Sequence, residues 1–521
     1  MSSITDRDGR RLSLTRVLIA AGLTVVLAAG AFFGLQSWAS AQVQGSREPW
    51  FAGYVDVTAT PNFAFETPRS DSAKVAVLSF IVADKADPCR PSWGGTYTLE
   101  TASASLDLDR RIARLQQQGG GVAISFGGLL GDELSSACTD PTKLAAAYES
   151  VISRYKVTTI DLDVESSNLA NTVAGQRRAA ALKTVQDAHR ASGNDLAIWL
   201  TLPTSTEGLS SDGTSAVAQL LGAGVDLAGV NAMTMDFGSS ITAGETMATA
   251  AERALDATHR QLATLYKRAG ITLTDATIWS KIGATPMLGQ NDDAGQIFGL
   301  DDARQLNAYA LARHVGRMSV WSLNRDAPCG SNYVDLNRVS DACSGVAQGN
   351  DRFADLLSAG FTGSAIRAAS LVTTAESIDP ASIADVPATS PYAIWSVDSS
   401  YLKGTKIVWH RNVYEAKWWT RGALPDDPVL NAWETPWTLI GPVLPGETPI
   451  PVPTVPSGTY PDWSGTAIYD KGSHVLFAGV PYEAKWWNQG ESPEAYSSSP
   501  DSSPWVPLTE DEIAALQVKA G

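Results

Sequence analysis

Short apolar runs alternate with longer helical patterns from residue 45 to residue 371 of this chain. The runs are rich in β-branched residues and are short enough for strands, whereas the segments between them repeat apolar residues at helical spacing. This alternation predicts repeated strand–helix units around a parallel sheet. The eight predicted strands are residues 52–58, 75–82, 121–128, 158–165, 196–202, 229–237, 277–282 and 318–323.

Eight such units favour an α/β fold of the (β/α)8 TIM-barrel type, whose active site lies at the carboxyl ends of the strands. A doubly wound open sheet is the alternative, but no glycine-rich phosphate loop follows the first predicted strand. We therefore predict a barrel catalytic domain over residues 43–371.

The N-terminus has the pattern of an export signal. Arg10, Arg11 and Arg16 precede an apolar run over residues 17–35, and a small-residue site follows at residues 39–41. The run approaches the roughly 20 residues that span a bilayer. Residues 1–42 are therefore predicted to be a signal peptide or an N-terminal membrane anchor, and the protein is expected to be secreted.

The net charge limits the kinds of partner that the protein can bind, and the cysteines suggest two disulfide bonds. The net charge of -16 argues against nucleic acid or an anionic membrane surface as the main partner, so a neutral ligand is expected. The protein is expected to be a monomer. Any membrane contact would be through the N-terminal anchor. The four cysteines allow three pairings, of which we expect Cys89 with Cys138 and Cys329 with Cys343.

The last quarter of the chain has a different composition, since 10 of the 16 tryptophans follow Pro391. A linker rich in Pro, Ser, Ala and Asp is predicted at residues 372–391. Beyond it the pattern Tyr-Glu-Ala-Lys-Trp-Trp occurs at residues 414–419 and again 68 positions later, at residues 482–487. We predict two β-rich modules, residues 392–443 and 460–510, joined by a stiff Pro-rich linker at residues 444–459.

The aromatic residues of this repeat are candidates for ligand binding. Consecutive tryptophans on a strand face opposite sides, so we expect one of each pair in the small core and the other in solvent. An exposed indole can stack on the apolar face of a sugar ring, although some of these aromatic residues must build the cores. The candidates are Tyr414, Trp418, Trp419, Tyr482, Trp486 and Trp487.

Three carboxylates on the fourth predicted strand carry the strongest chemical signal. Asp161, Asp163 and Glu165 alternate with apolar residues and therefore share one face of the strand. A half-exposed strand with a hydrated acidic face is the alternative. In a barrel these groups point inward, where crowding raises the pKa of a carboxyl group and suits it to general acid catalysis. Glu165, at the end of the strand, is the predicted acid.

The chain resembles glycoside hydrolase family 18, the chitinase family, in four motifs that occur in order. The pattern Asp161-x-Asp163-x-Glu165 matches the end of its D-x-x-D-x-D-x-E, with Thr158 at the first position. Residues 125–128 match S-x-G-G, residues 233–236 match M-x-Y-D, and Trp321 matches the tryptophan beneath the sugar. Met235 and Phe237 depart from the family pattern, because neither supplies the hydroxyl of its tyrosine.

The resemblance implies a substrate-assisted, retaining reaction without a cofactor or metal. Glu165 would protonate the glycosidic oxygen, Asp163 would hold the acetamido group and Asp161 would tune Asp163. The resemblance also implies that Asp236 binds the sugar. Tyr54 is our candidate for the missing hydroxyl. The other predicted substrate-binding residues are Trp321, Met233, Gln290 and Ser125.

The repeated modules resemble the chitin- and cellulose-binding modules of carbohydrate-binding families 5 and 12. The expected protein is a secreted chitinase that is held on chitin, or on a related β-1,4-linked N-acetylglucosamine polymer, by two modules. Two alternatives are an endo-β-N-acetylglucosaminidase and a non-catalytic chitin-binding or adhesion protein.

Overall fold

The computed structural model describes residues 48–293, 295–331, 339–363, 384–401, 403–444, 446–449, 455, 458–477, 480–493, 503–509, 512–513 and 515–516. The chain divides into two compact units, Met1–Glu376 and Ser377–Gly521. In the described part of the chain, no helix has both the length and the apolar character needed to cross a bilayer. The predicted signal or anchor and most of the first predicted linker lie outside the described residues.

Eight parallel strands close into a barrel in the first unit. Each strand pairs with the next one along the chain, and the first strand pairs with both the second and the eighth, so the sheet has no free edge. The strands are β1 (Trp50–Phe51 and Gly53–Asp56), β2 (Val75–Ala83), β3 (Gly121–Gly127), β4 (Thr159–Asp163), β5 (Ala197–Ser205), β6 (Leu227–Met233), β7 (Ile282–Thr285) and β8 (Arg317–Met318).

Helices follow the strands and cover the outside of the barrel, as the alternating pattern predicts. They are α1 (Leu99–Ser105), α2 (Leu108–Gln117), α3 (Leu134–Ala137), α4 (Pro141–Tyr155), α5 (Ser166–Ala170), α6 (Thr172–Ala191), α7 (Ser211–Gly222), α8 (Met247–Arg268), α9 (Asp275–Ser280), α10 (Leu300–Arg313) and α11 (Phe353–Ser358). Capping side chains mark the first turns of several helices. Asp140, for example, caps α4 by accepting from two backbone N–H groups of its first turn.

Side chains fill the barrel interior. Trp50 and Tyr54 from β1, Val77 from β2, Ala123 from β3 and Trp199 from β5 form a buried cluster there. Large and small residues are combined in this cluster, so that the inward side chains fill a closed barrel. In the part of the barrel that the structure describes, the interior is thus a packed core.

The prediction of the seventh strand at residues 277–282 is wrong. Those residues lie mostly in α9, and the strand follows at Ile282–Thr285. The β-branched Thr277 and Ile278 suggested a strand, but Thr274 accepts a hydrogen bond from the Thr277 N–H and so caps a helical turn. The regular part of the eighth strand is also shorter than predicted and ends at Met318. An isolated parallel bridge still joins Trp321 to Met287, and a 3₁₀ turn begins at Leu323.

Two disulfide bonds join Cys89 to Cys138 and Cys329 to Cys343, with Cα–Cα distances of 4.6 Å and 5.0 Å. This confirms the expected pairing. The first bond connects the segment after β2 with the end of α3, so it ties together two loops that follow neighbouring strands of the barrel.

The second unit contains the sequence repeat as a structural repeat. In the first copy Lys406–Trp409, Asn412–Ala416 and Trp437–Pro442 form a three-stranded antiparallel sheet. In the second copy His474–Phe477, Val480–Ala484 and Trp505–Pro507 form the same sheet. Each strand of the second copy begins 68 positions after its counterpart, as the sequence spacing requires. Both copies are therefore β-rich, as predicted.

Candidate active site

A cavity of about 710 Å³ opens where the barrel strands end. Most of the predicted site residues contribute to its wall, although they come from four different strands or the loops that follow them. The structure thus brings distant motifs together at one place, which is the usual position of the active site in this fold. The predicted residues that line it are Tyr54, Asp163, Glu165, Met233, Asp236 and Trp321.

Asp161 lies below the cavity, buried in the barrel. Its carboxylate accepts hydrogen bonds from Tyr54 Oη at 2.8 Å, Ser125 Oγ at 2.8 Å and Thr201 Oγ1 at 2.7 Å. Arg317 Nη1 donates a fourth bond at 2.6 Å. The four donors belong to four different strands, so the hydrogen bonds of Asp161 connect β1, β3, β5 and β8 to β4 inside the barrel. Ser125, predicted to bind substrate, instead supports Asp161.

The structure contradicts the prediction that Tyr54 supplies the missing hydroxyl at the substrate. The ring of Tyr54 lines the cavity, but its hydroxyl donates to Asp161 and accepts from Asn231 Nδ2 at 3.2 Å and Arg317 Nη2 at 3.1 Å. Because those bonds occupy the hydroxyl within the barrel, it is not available to a ligand. Burial, the largest influence, raises the pKa of Tyr54 well above its usual value.

Asp163 ends β4 and is only 5% exposed. Its Oδ1 is buried without a hydrogen-bond partner, and the residue itself lines the cavity. Burial raises the pKa of Asp163 well above its usual range, and the nearby charges of Glu165 and Asp161 raise it further, while Arg317 opposes them. A buried acceptor without a partner is costly unless a ligand supplies a donor.

The glycines after Ser125 are explained by the close approach of two strands. Gly127 has a positive φ of 100°, and a Cβ there would lie 1.9 Å from the carbonyl oxygen of Asp163. The next residue, Gly128, donates its N–H to that same oxygen at 2.9 Å. Only glycine fits at residue 127, and the pair of glycines fixes the backbone of Asp163.

Glu165 follows β4 in an extended conformation, directly before α5, and lies half-buried in the cavity wall. Burial raises its pKa to about 7, with a further contribution from the negative charge of Asp236. A carboxyl group with this pKa is protonated for a large fraction of the time near neutral pH. Glu165 therefore has the protonation state that a general acid needs.

Asp236 is held at the cavity by the loop that follows β7. Its backbone N–H donates to Asn291 Oδ1 at 3.1 Å, and its carboxylate accepts from the N–H of Asp293 at 3.1 Å. Burial raises its pKa, and the N–H of Asp293 opposes that rise. Gln290, predicted to bind substrate, does not line the cavity. It lies in a short hairpin strand, Gly289–Gln290, and its N–H donates to the carbonyl of Ser344.

Trp321 forms the aromatic floor of the cavity together with a residue that the sequence did not single out. Phe80, near the end of β2, stacks on Trp321 with ring centroids 5.5 Å apart, and Tyr54 contacts Trp321 edge-on at 6.0 Å. All three rings line the cavity. A floor of this kind suits the apolar face of a sugar ring. The nearly continuous apolar run of β2 gave no signal that distinguished Phe80.

Arg317, Thr201 and Asn231 are the other site residues that sequence reasoning missed. Each is buried, and each bonds to Asp161 or to Tyr54. Arg317 is the only cation that influences Asp163 among the charged groups of the described residues. A signal did exist, because Arg317 directly precedes the predicted strand 318–323, and a charged residue that is buried in a barrel strand requires a partner of opposite charge.

The aromatic residues of the repeat are arranged differently from the prediction. Trp418 and Trp419 are both exposed, as are Trp486 and Trp487. They lie in turns after the strands Asn412–Ala416 and Val480–Ala484, so the alternation of a strand does not apply to them. Tyr414 is instead buried in the core of the first copy, and Tyr482 packs partly buried against the core of the second. These two tyrosines are structural.

Comparison with known proteins points to one class of enzyme. No family model matches the chain. The chain is 33% identical over 290 residues to the probable bifunctional chitinase/lysozyme of Escherichia coli (strain K12), with 54% of this chain and 31% of that protein covered. It is 32% identical over 286 residues to Endochitinase 11 of Metarhizium anisopliae, with 53% and 52% covered. The chain thus spans about a third and about half of these two relatives.

Solved structures that are similar to the first unit are also chitinases. The catalytic domain of the hyperthermophilic chitinase from Pyrococcus furiosus is 28% identical, with a TM-score of 0.50, and the match covers 62% of this chain and 99% of that one. A second structure of the same enzyme, active domain 2 with catalytic-site mutations, is 27% identical, with a TM-score of 0.51 and the same two coverages. With the carboxylates and the aromatic floor described above, the first unit of this chain is a chitinase-like hydrolase domain.

Proposed function

We propose that this protein is a chitinase that hydrolyses β-1,4-linked N-acetylglucosamine polymers by substrate-assisted catalysis with retention of configuration. The observation that carries the proposal is the pairing, in one cavity, of a half-buried Glu165 whose pKa is about 7 with a buried Asp163 whose Oδ1 has no partner. The similar Pyrococcus furiosus chitinase domain has been solved with chito-oligosaccharides, which supports a ligand of this class.

Each residue has a separate task in the proposed reaction. Glu165 donates its proton to the glycosidic oxygen, and the bond from that oxygen to the anomeric carbon breaks. The carbonyl oxygen of the substrate's own acetamido group attacks the anomeric carbon, while Asp163 accepts a hydrogen bond from the acetamido N–H. Water then opens the cyclic intermediate from the same face and returns a proton to Glu165. No cofactor is required by this scheme.

The test uses two soluble substrates that differ only in the acetamido group. The full-length protein is incubated with N-acetyl-chitohexaose and with cellohexaose, and the products are followed by NMR from the first minutes. We expect cleavage of the first substrate alone, with the β-anomer formed before mutarotation. Initial formation of the α-anomer would exclude retention, and equal cleavage of cellohexaose would exclude the role of the acetamido group.

The pH dependence of the reaction follows from the raised pKa of Glu165. The acid must be protonated, so the alkaline limb of kcat/KM should fall as the pH rises through about 7. Asp236→Asn removes a negative charge that raises this pKa, so the alkaline limb of its pH profile should move to lower pH. An alkaline limb that stays unchanged in this variant would show that Asp236 does not act on Glu165.

We also propose that the two repeated modules hold the enzyme on insoluble chitin. Trp419 is 42% exposed and Trp487 is 58% exposed, so each offers a flat apolar face to solvent. The first module adds Trp433, which is 59% exposed, whereas Asp501 occupies the corresponding position of the second module in the sequence. Lys417 links Trp433 to Trp418 and Trp419. Its Nζ lies over the ring of Trp418 and donates to the carbonyl of Ala432, the residue before Trp433.

Adsorption to crystalline chitin should depend on these tryptophans. Trp419→Ala combined with Trp487→Ala should weaken adsorption by about tenfold, because each change removes an aromatic face. Leu439→Ala, which removes an exposed aliphatic side chain from the first module, is the matched control and should adsorb as the wild type does. The measurement is a depletion isotherm on chitin. Equal losses in both proteins would argue against stacking on aromatic rings.

Export from the cytoplasm remains part of the proposal. The two disulfide bonds support it, since such bonds persist in oxidising compartments. N-terminal sequencing of the protein recovered from the culture medium and from the membrane fraction would distinguish a cleaved signal from an anchor. Recovery of the protein only in the cytoplasm would contradict export.

A further inference from the structure

Arg317 is a fully buried cation inside the barrel. Its Nη1 donates to Asp161 Oδ1 at 2.6 Å, its Nη2 to the Tyr54 hydroxyl at 3.1 Å and its Nε to Ser319 Oγ at 2.8 Å. The rings of Trp50, Tyr54 and Trp199 surround the guanidinium at 5.2 to 5.5 Å. A guanidinium without contact with water needs an anionic partner, and Asp161 is the anion in contact with it.

The hydrogen bonds of Asp161 fix its charge state. Its two carboxylate oxygens accept from four donors, three hydroxyls and one guanidinium, at 2.6 to 2.8 Å. A carboxylate has about four lone-pair positions, and all of them are used here. A proton on Asp161 would replace one of these bonds and would leave the buried Arg317 without a counter-charge. Asp161 is therefore held as an anion.

The next carboxyl on the same strand face has the opposite surroundings. Asp163 Oδ1 has no partner, and Asp163 faces the cavity that Asp161 does not reach. The anion below it and Glu165 above it both favour a proton on Asp163, whereas Arg317 favours its ionisation. Arg317 thus pairs with the carboxylate of Asp161, whereas the carboxyl group of Asp163 keeps an oxygen without a hydrogen-bond partner.

We propose that Arg317 is a positioning residue of the reaction, which holds Asp161 as a fixed anion and keeps Asp163 free to turn to the acetamido group and to ionise there. The inference rests on the proposed function. As the glycosidic bond breaks, Glu165 gives up its proton and positive charge develops on the acetamido nitrogen beside Asp163. Without Arg317, Asp161 and Asp163 would share one proton between them, and Asp163 would stay bonded to Asp161 in place of the substrate.

Other groups near Asp163 do not replace this cation. The charged groups that act on the pKa of Asp163 are the acids Glu165 and Asp161 and the base Arg317. Ser125, Thr201 and Asn231, in the hydrogen-bond network around Asp161 and Tyr54, are uncharged. Among the residues described, Lys85 is the basic residue that lines the cavity, and it is exposed. The other titratable groups of the cavity wall are Tyr54, Asp56, Asp84, Asp132, Asp236, Asp292 and Asp341.

The experiment compares three variants of the full-length protein on N-acetyl-chitohexaose over a range of pH. Arg317→Met removes the charge and keeps most of the volume, whereas Arg317→Lys keeps the charge. Arg178→Met is the matched control, because it breaks another buried ion pair, with Glu133 at 3.4 Å, outside the barrel interior. Thermal unfolding of each variant reports on its stability.

We expect Arg317→Met to move the acid limb of kcat to higher pH by about 1 to 3 units, with KM little changed, because an adjacent Arg lowers a carboxyl pKa by that amount. In Arg317→Lys the acid limb of kcat should lie close to that of the wild type, because the positive charge is kept. Arg178→Met should be less stable than the wild type, but the pH of its acid limb should be unchanged. An unshifted acid limb in folded Arg317→Met, or a loss of activity that is uniform with pH, would overturn the proposal.

A double variant covers the case in which Arg317→Met does not fold. Arg317→Met with Asp161→Asn leaves no unpaired charge in the barrel, and no anion remains to share a proton with Asp163. Its acid limb should lie at or below that of the wild type, and a raised limb would contradict the inference. Absence of hydrolysis by the wild-type protein would overturn the proposed function and this inference together.

Discussion

Glu165→Gln should reduce kcat on soluble N-acetyl-chitooligosaccharides by about 10² to 10⁴-fold, the range expected when a general acid is removed. The amide keeps the size and the hydrogen-bonding capacity of the side chain, but it has no proton to give to the glycosidic oxygen. KM should change little, because Glu165 acts on the bond that breaks and does not hold the sugar. The measurement is steady-state kinetics on the full-length protein.

The matched control for this variant is Glu149→Gln, on the outer surface of α4. Glu149 contacts His189 at 2.8 Å, so the substitution removes one carboxylate far from the cavity. Its kinetics should equal those of the wild type. Adsorption of Glu165→Gln to insoluble chitin should also be normal, since the repeated modules are unchanged. Turnover of Glu165→Gln within about tenfold of the wild type would assign the acid to another residue.

Asp163→Asn should reduce kcat by about 10² to 10³-fold, since a negative charge aimed at a developing positive charge is among the largest contributions to catalysis. The amide cannot ionise, so it cannot stabilise the cyclic intermediate. It keeps one carbonyl oxygen that can accept from the acetamido N–H, but that oxygen carries no charge, so the hydrogen bond is weaker. The loss should therefore be in kcat, again with a smaller change in KM.

Asp187→Asn provides the comparison for the second variant. Asp187 lies on α6 and pairs with Lys183, four residues earlier on the same helix. We expect this variant to retain the kinetics and the stability of the wild type. If Asp163→Asn lowered stability but left kcat unchanged, Asp163 would serve the fold alone and the substrate-assisted mechanism would lose its support.

Much of the fold could be predicted from local sequence patterns. The positions of seven of the eight strands follow from short apolar runs, and the shared face of Asp161, Asp163 and Glu165 follows from the two-residue period of a strand. The 68-residue spacing predicted the repeated sheets of the second unit. The seventh strand was misplaced because a capping Thr274 outweighs the strand preference of the residues that follow it.

The site residues that were predicted wrongly share a physical cause. Tyr54 and Tyr414 were assigned to ligands, but the packing of other strands buries both. Tyr54 meets Asp161 from a strand 107 positions away, and Tyr414 is buried by the neighbouring strands of its own module. Trp418 and Trp419 were expected on opposite faces of a strand. The strand ends at Ala416, so both indoles project from a turn into solvent.

The sequence by itself determined the order of strands and helices, the repeat, and the row of three carboxylates, because each of these is a pattern over neighbouring residues or a fixed spacing. Only the tertiary structure decided how the charges are paired. Arg317 is 156 positions from Asp161 in the chain, yet closure of the barrel places β8 where its guanidinium meets that carboxylate. Burial then makes their pairing obligatory, and it leaves Asp163 as the carboxyl with an unfilled acceptor at the cavity.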